Sequence, residues 1–340
     1  MIFQKIQKAI KDKRFFNSFF NYFRPIIIGF CLFFLRSPFR KDKFKIFISK
    51  QIKPDNKDNP LFERLFNSYK KMSGELETNN SIFNPSKMWS DHIEKDYKFL
   101  KNSLKNDDFD KFKFFVSNFG NWDNYLGIER NIFIKRLNAN FLSRKFLKVM
   151  IFERIFNFWK LINSTENYKV LDQPKYGNQI GAKIDDTFVT IGSFFNHIIS
   201  KNLSNLIKKK ARPVVTELGG GYGRLAYYLL KNKKNFCYLS FDLPEVLILS
   251  AYYLSKSFPE KKLLLYGEEN FDGESIKKFD FIFMPSFEID KLNESSTDLF
   301  INKNSLGEMN KEQVDHFCKK ISLTSKYFFH MNHDFHRVIF

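Results

Sequence analysis

The chain has 340 residues, 43% of them hydrophobic and 27% charged, with 44 Phe among its aromatic residues. That supplies the core of one large or two modest domains and excludes a disordered chain. The formal net charge of +19 fits nucleic acid, an anionic membrane or an acidic substrate, but residues 1–55 hold 13 Lys and Arg against 3 Asp, so just over half of the excess sits in about one sixth of the chain.

Three widely spaced cysteines, Cys31, Cys237 and Cys318, form no CxxC pair and have no companion histidine cluster. They indicate a reducing, cytoplasmic setting without structural zinc. Ile2, Phe3, Ile6 and Ile10 recur at helical spacing between lysines, and Phe15, Phe16, Phe19, Phe20 and Phe23 extend the stripe. The apolar run that follows, Pro25 to Leu35, is shorter than the roughly 20 residues of a spanning helix. Arg36, Arg40, Lys41 and Lys43 come next with no small-residue cleavage pattern, which argues against a secretory signal. Two readings of residues 1–45 stand equally: a buried helical hairpin, or peripheral contact with the inner face of a membrane.

The polar run Gln51 to Pro60 reads as a linker, and 61–165 is mostly helical in pattern. The expected division is therefore an arm and linker over 1–58, a helical cap over 59–210, and an α/β domain over 211–340. Tyr176 and Asn178 lie in a loop before the helix around Phe194 to Leu206; they read as an ordinary turn or as contacts to a ligand's polar end.

The most informative stretch is Glu217 to Arg224, ELGGGYGR, between the apolar run Pro213 to Val215 and a helical pattern from Leu225. A strand, a glycine turn and a helix start let a ligand lie against the main chain near exposed amides. The spacing is GxGxG and does not meet the dinucleotide fingerprint GxGxxG. Glu217 ends the first strand and Asp242 the second, and this pair fits an adenosine with a cationic amino-acid tail better than a pyrophosphate. Asp242 suits the two ribose hydroxyls; followed by Pro244 and Glu245, it also reads as a helix N-cap, and the two readings are compatible. Strands expected at 263–266, 279–284, 298–301 and 327–331, with helices at 244–258 and 311–321, argue for a doubly wound parallel sheet preceded by a mostly helical region. Either 263–266 or 279–284 supplies the adenine-side edge, leaving the acid there open between Glu268 and Glu269.

On these residues the chain resembles the Rossmann-like S-adenosylmethionine-dependent methyltransferases. A narrower resemblance, to sugar O-methyltransferases of bacterial surface-polysaccharide loci, is carried by ELGGGYGRLA at 217–226, FDLPEVL at 241–247, DLFINKNSLGEM at 298–309 and QPKYGNQIGA at 173–182. It implies S-adenosylmethionine as cofactor, held by Glu217, Gly219, Gly220, Gly221, Gly223, Asp242 and Leu243, and a sugar hydroxyl as acceptor. Tyr176, Asn178, Asn302 and Ser305 become acceptor-side candidates. Glu308, after the strand at 298–301, is the first choice of general base, with a dipole-stabilising carboxylate at the start of the next helix as its other reading. His333, beside Asp334 and His336, is the second choice of base; too few carboxylates accompany it for magnesium, so no metal is expected.

Such enzymes close their sheet with an antiparallel hairpin, whereas this sequence stops at Phe340; the implied open edge points to a truncated product, a pairing partner or cover by the N-terminal part. An RNA or DNA methyltransferase is the alternative enzyme, suited to the positive charge; it is disfavoured because the chain reads NKNS at 302–305 in place of the Asn/Asp-Pro-Pro-aromatic motif of amino-methylating enzymes and has no cysteine in that loop to attack a pyrimidine, two objections that an RNA 2′-O-methyltransferase escapes. A non-catalytic, membrane-associated protein retaining the fold is the third reading.

Overall fold

The computed structural model describes residues 44–78, 81–122, 152–233 and 235–332. Residues 1–43, with the basic stripe and the apolar run, lie outside the described residues, as do His333, Asp334 and His336. Among the described residues, no helix is long and apolar enough to cross a membrane.

In chain order the elements are β1 (Phe44–Phe47), α1 (Asn59–Thr78), α2 (Lys87–Asp96), α3 (Lys98–Lys105), α4 (Phe109–Ser117) and α5 (Arg154–Ile162). A hairpin of β2 (Gly181–Ile184) and β3 (Thr187–Val189) and the helix α6 (Ser193–Ile207) follow. Then come β4 (Val214–Leu218), α7 (Arg224–Asn232), β5 (Cys237–Asp242), α8 (Pro244–Ser257), β6 (Leu263–Leu265) and α9 (Gly273–Lys278). The chain continues with β7 (Phe281–Pro285), β8 (Thr297–Lys303), α10 (Lys311–Thr324) and β9 (Ser325–Met331).

The described residues form two compact units, 44–48, 152–173 and 180–194 in one, and 49–122, 174–179 and 195–332 in the other. This differs from the division at 58 and 210 expected from sequence. In the first unit, β1 pairs antiparallel with β2, Phe44 opposite Ile184 and Phe47 opposite Gly181. A strand of the expected arm thus pairs with a hairpin of the expected helical cap. The β2–β3 turn, Asp185-Asp186, has Asp185 at φ 52°, as a tight hairpin requires. Such pairing spans well over a hundred residues and leaves no trace in local periodicity.

The second unit contains a six-stranded sheet in the order β6-β7-β5-β4-β8-β9, every neighbouring pair parallel. This is the doubly wound α/β architecture. β4, β5 and β7 are buried at every position because helices cover both faces, so their sequences are near-continuous apolar runs. Alternate residues sort onto opposite faces. Val215, Tyr238, Phe281 and Leu299 join α1, α4, α7 and α8 in one core, while Leu239, Ile282 and Phe300 join Phe317 and Ile321 of α10 in the other. β7, not β6, lies beside β5, which resolves the two candidates for that place.

The contact of α7 with α8 depends on Gly223, at φ 85°; a Cβ there would lie 2.8 Å from Ser250 Oγ and 3.0 Å from Leu254 Cδ1. A Cβ on Gly74, inside α1, would have no described atom within 4 Å beyond its neighbours and the local backbone of its own helix. Gly223→Ala is expected to lower stability by about 2–4 kcal/mol through left-handed strain and overpacking. Gly74→Ala is expected to raise it by roughly 0.5–1 kcal/mol through helix propensity. Urea midpoints at constant slope check both.

Candidate active site

β5 and β7 succeed β4 on one side of the sheet and β8 returns on the other, so the order reverses between β4 and β8. Ligands of open α/β sheets bind at the carboxyl ends of the strands at such a point. There the second unit has a cavity of about 380 Å³, within the size range of small-ligand sites. Its floor is the glycine turn, its sides are the ends of β5, β7 and β8, and its far wall combines the segment before α2 with the start of α10.

The turn is shaped by close approach. Gly219 and Gly221 take φ of 74° and 59°, conformations that L side chains rarely adopt. A Cβ on Gly219 would land on the Ser305 side chain, and one on Gly220 would lie 2.9 Å from Glu217 Oε2. The main chain therefore faces the cavity with no side chain in between.

Two carboxylates sit beneath it. Glu217 is 1% exposed, and its Oε2 accepts from the Tyr238 hydroxyl at 2.6 Å. Burial raises its pKa; the Tyr238 hydrogen bond and the charge of Lys303 oppose the shift. Asp242 Oδ1 accepts from the Leu243 amide at 2.8 Å and Oδ2 from the Gly221 amide at 3.3 Å. Burial pushes its pKa up to about 7, against the pull of those two amides, with smaller upward contributions from Glu217 and Glu308. The carboxylate is thus fixed by backbone on one side and lines the cavity on the other.

Opposite, Trp89 Nε1 donates to Glu308 Oε2 at 2.9 Å. Glu308 ends the short 3-10 turn Leu306–Glu308 between β8 and α10, and both side chains are half-buried. The wall is braced by Gln313, whose Nε2 donates to Asn84 O at 2.7 Å, and by Phe83 against Phe317 with ring centroids 6.2 Å apart. Ser86 caps α2, which begins two residues before Trp89.

Of the residues singled out from sequence, Glu217, Gly219, Gly220, Gly221, Asp242, Leu243, Ser305 and Glu308 line this one cavity. Four do not. Gly223 faces α8 instead, for the packing reason given above. Asn302 is 0% exposed; its Nδ2 donates to Leu218 O at 3.0 Å, and its Oδ1 accepts from the Leu306 amide at 3.2 Å and Asn332 Nδ2 at 3.1 Å. It ties together the ends of β4, β8 and β9. Asn178, buried at φ 55°, donates to Lys50 O and Asn118 Oδ1 at 2.8 and 2.9 Å and pins two loops. Tyr176 packs on the core, with Lys256 Nζ 5.3 Å from its ring centroid. Buried amides of this kind satisfy backbone groups that strand ends leave unpaired.

Neither Glu268 nor Glu269 reaches the cavity. Glu268 binds Arg64 and Glu269 binds Lys278, while Ser286, following β7, lines the cavity. Sequence reasoning missed Trp89 and Phe83, which come from the stretch read as a helical cap, and Tyr222, Arg224 and Lys303. Tyr222, Arg224 and Lys303 sit inside the quoted motifs, and that membership was the available signal.

No protein-family model matches the chain, and neither does any curated protein. Among solved structures, a candidate O-methyltransferase from Nostoc punctiforme is 15% identical over 39% of this chain and 35% of its own, with a TM-score of 0.27. A candidate S-adenosylmethionine-dependent methyltransferase from Methanococcus maripaludis is 14% identical over 40% and 55%, with a TM-score of 0.29. A candidate methyltransferase from Burkholderia thailandensis, bound to S-adenosylhomocysteine, is 17% identical over 34% and 26%, with a TM-score of 0.24. The chain spans between about a quarter and about half of the length of these structures.

The raised pKa of Asp242 has a definite sign for stability. Between the unfolded value of 3.8 and the folded value of about 7 the folded chain binds the extra proton, so this group's contribution falls as pH rises across that window and is constant above it. Asp242→Asn is expected to remove this fall. Relative to wild type, its urea midpoint should gain steadily from about pH 4 to about pH 7 and level off beyond. Parallel pH profiles would place Asp242 at an ordinary carboxylate pKa.

Proposed function

We propose that this cavity binds S-adenosylmethionine and that the chain is a methyltransferase acting on a sugar hydroxyl. The single observation that carries the reading is the placement of Asp242. Its carboxylate ends β5, is anchored by the Gly221 and Leu243 amides, and borders a glycine turn at the switch point. A carboxylate so fixed accepts from two vicinal ribose hydroxyls, and the side-chain-free turn gives room for the rest of an adenosyl group. The lining residues fit that group in charge as well: Glu217, Asp242 and Glu308 stand against Arg224 and Lys303, a balance suited to a cationic sulfonium. The bound cofactor supplies an electrophilic methyl group.

The chain's own part is to orient the acceptor and take up its proton. For the second task the candidate is Glu308, whose Oε2 accepts from the Trp89 indole at the cavity wall. Phe83 and Trp89 offer apolar surface, and Asn84, Ser86 and Gln313 offer polar groups beside it, a mixture suited to a ring bearing many hydroxyls. The preference for a sugar over another hydroxyl acceptor rests on the resemblance of the quoted motifs.

Calorimetric titration with S-adenosylhomocysteine is expected to show binding that Asp242→Ala weakens about ten- to a hundredfold, the worth of hydrogen bonds to a charged group. Unchanged affinity in the folded variant would overturn the site. Glu308→Gln is expected to bind as wild type and to slow transfer to an accepted sugar by about 10²- to 10⁴-fold. Labelled methyl transfer to a sugar panel and to RNA, run side by side, identifies the acceptor class.

A further inference from the structure

Trp89 differs from the other two indoles of the chain. Trp122 is covered by Phe99, Phe114 and Phe115, with ring centroids 4.9 to 6.2 Å away, and Trp159 stacks on Phe156 at 6.0 Å. Among the described residues no ring stacks on Trp89, which is half-buried, packs against the core on one side and lines the cavity on the other. Its N–H edge is committed to Glu308 Oε2 at 2.9 Å, and its main chain is set by the start of α2, where Ser86 Oγ accepts from the Trp89 amide at 3.4 Å. The indole is therefore fixed at its edge and its backbone, with apolar surface left to the cavity.

A flat apolar surface beside a hydrogen-bonded acid suits a saturated ring that carries C–H groups on a face and hydroxyls around its rim. Charge narrows the class further. The wall opposite the glycine turn, residues 83–89 and 309–317, contributes no Lys or Arg to the described cavity lining, and Glu308 beside it contributes an acid. Phosphates and carboxylates are recognised by Arg and Lys. On this wall an anionic acceptor would find no such partner and would face a like charge.

We infer that Trp89 selects the acceptor: an uncharged, saturated ring stacks on its indole, and the N–H that holds Glu308 keeps the acid at the rim of that ring. The inference rests on the methyltransferase reading of the cavity and assigns it a specificity-determining residue that is also a positioning residue for Glu308. The two roles belong to different atoms, the ring surface for the acceptor and Nε1 for the acid. Substitution can therefore separate them.

The test is labelled methyl transfer by the full chain to methyl glycosides, to the matching uronates and sugar phosphates, and to an RNA oligonucleotide. Calorimetry with S-adenosylhomocysteine reports that each variant is folded and its cofactor side intact. Wild type is expected to methylate uncharged glycosides in preference to the charged probes. Trp89→Phe keeps a ring and loses the N–H, so KM should stay within about threefold while kcat falls about ten- to a hundredfold. Trp89→Leu loses the flat surface as well and should show the same fall in kcat with KM raised about tenfold or more. Wild-type kcat in Trp89→Phe, or equal KM in the two variants, would overturn the inference. Transfer by wild type only to charged probes or RNA, or to nothing on the panel, would do the same. Loss of S-adenosylhomocysteine binding in both variants would make Trp89 a structural residue of the wall and also overturn it. If wild type itself binds no S-adenosylhomocysteine, the adenosyl reading falls, and the inference with it.

Discussion

β4 and β8 run side by side as far as Leu218 and Asn302 and then part, and the cavity exists because of that parting. Strand ends that diverge leave carbonyls and amides without ladder partners, and each must be satisfied or hydrated. Asn302 meets that need. It bonds Leu218, Leu306 and Asn332, so three strand ends stay in register around the opening. With the edge fixed, the glycine turn can rest on Ser305 on one side and on Glu217 on the other, leaving the main chain free toward the cavity.

Electrostatics follows from the same frame. Glu217 and Asp242 point into a region helices have dried on both faces of the sheet, so burial raises both pKa values despite the hydrogen bonds that oppose it. Two acids withdrawn from water in this way carry a desolvation penalty. Tyr238 shows the reciprocal effect, its own pKa raised by burial first and by Glu217 second.

The far wall comes from a different part of the chain. Phe83 and Trp89 precede the glycine turn by more than a hundred residues, yet they meet Phe317 and Glu308, and Gln313 joins the start of α10 to Asn84. The second unit is thus a sheet domain together with helices from before it. The sequence division at 210 could not anticipate this, because the apolar stripes of α1 and α4 look alike whether they pack on each other or on α8.

Read alone, the sequence determined the strand–turn–helix at Glu217 to Arg224, the second acid at Asp242, Glu308 at the opening of the last helix, and the alternation of a parallel sheet. These are local: glycine is required where φ is positive, a fully buried strand must be apolar throughout, and acids at strand ends stand out against such runs. Only the tertiary structure decided which polar residues face the cavity and which serve the backbone. Asn178 and Asn302 have the residue type of ligand contacts, but buried backbone groups claim them. Gly223 belongs to the turn in sequence and to a helix contact in space. Trp89 became a site residue by meeting Glu308 from a distant segment, a relation that no periodicity records.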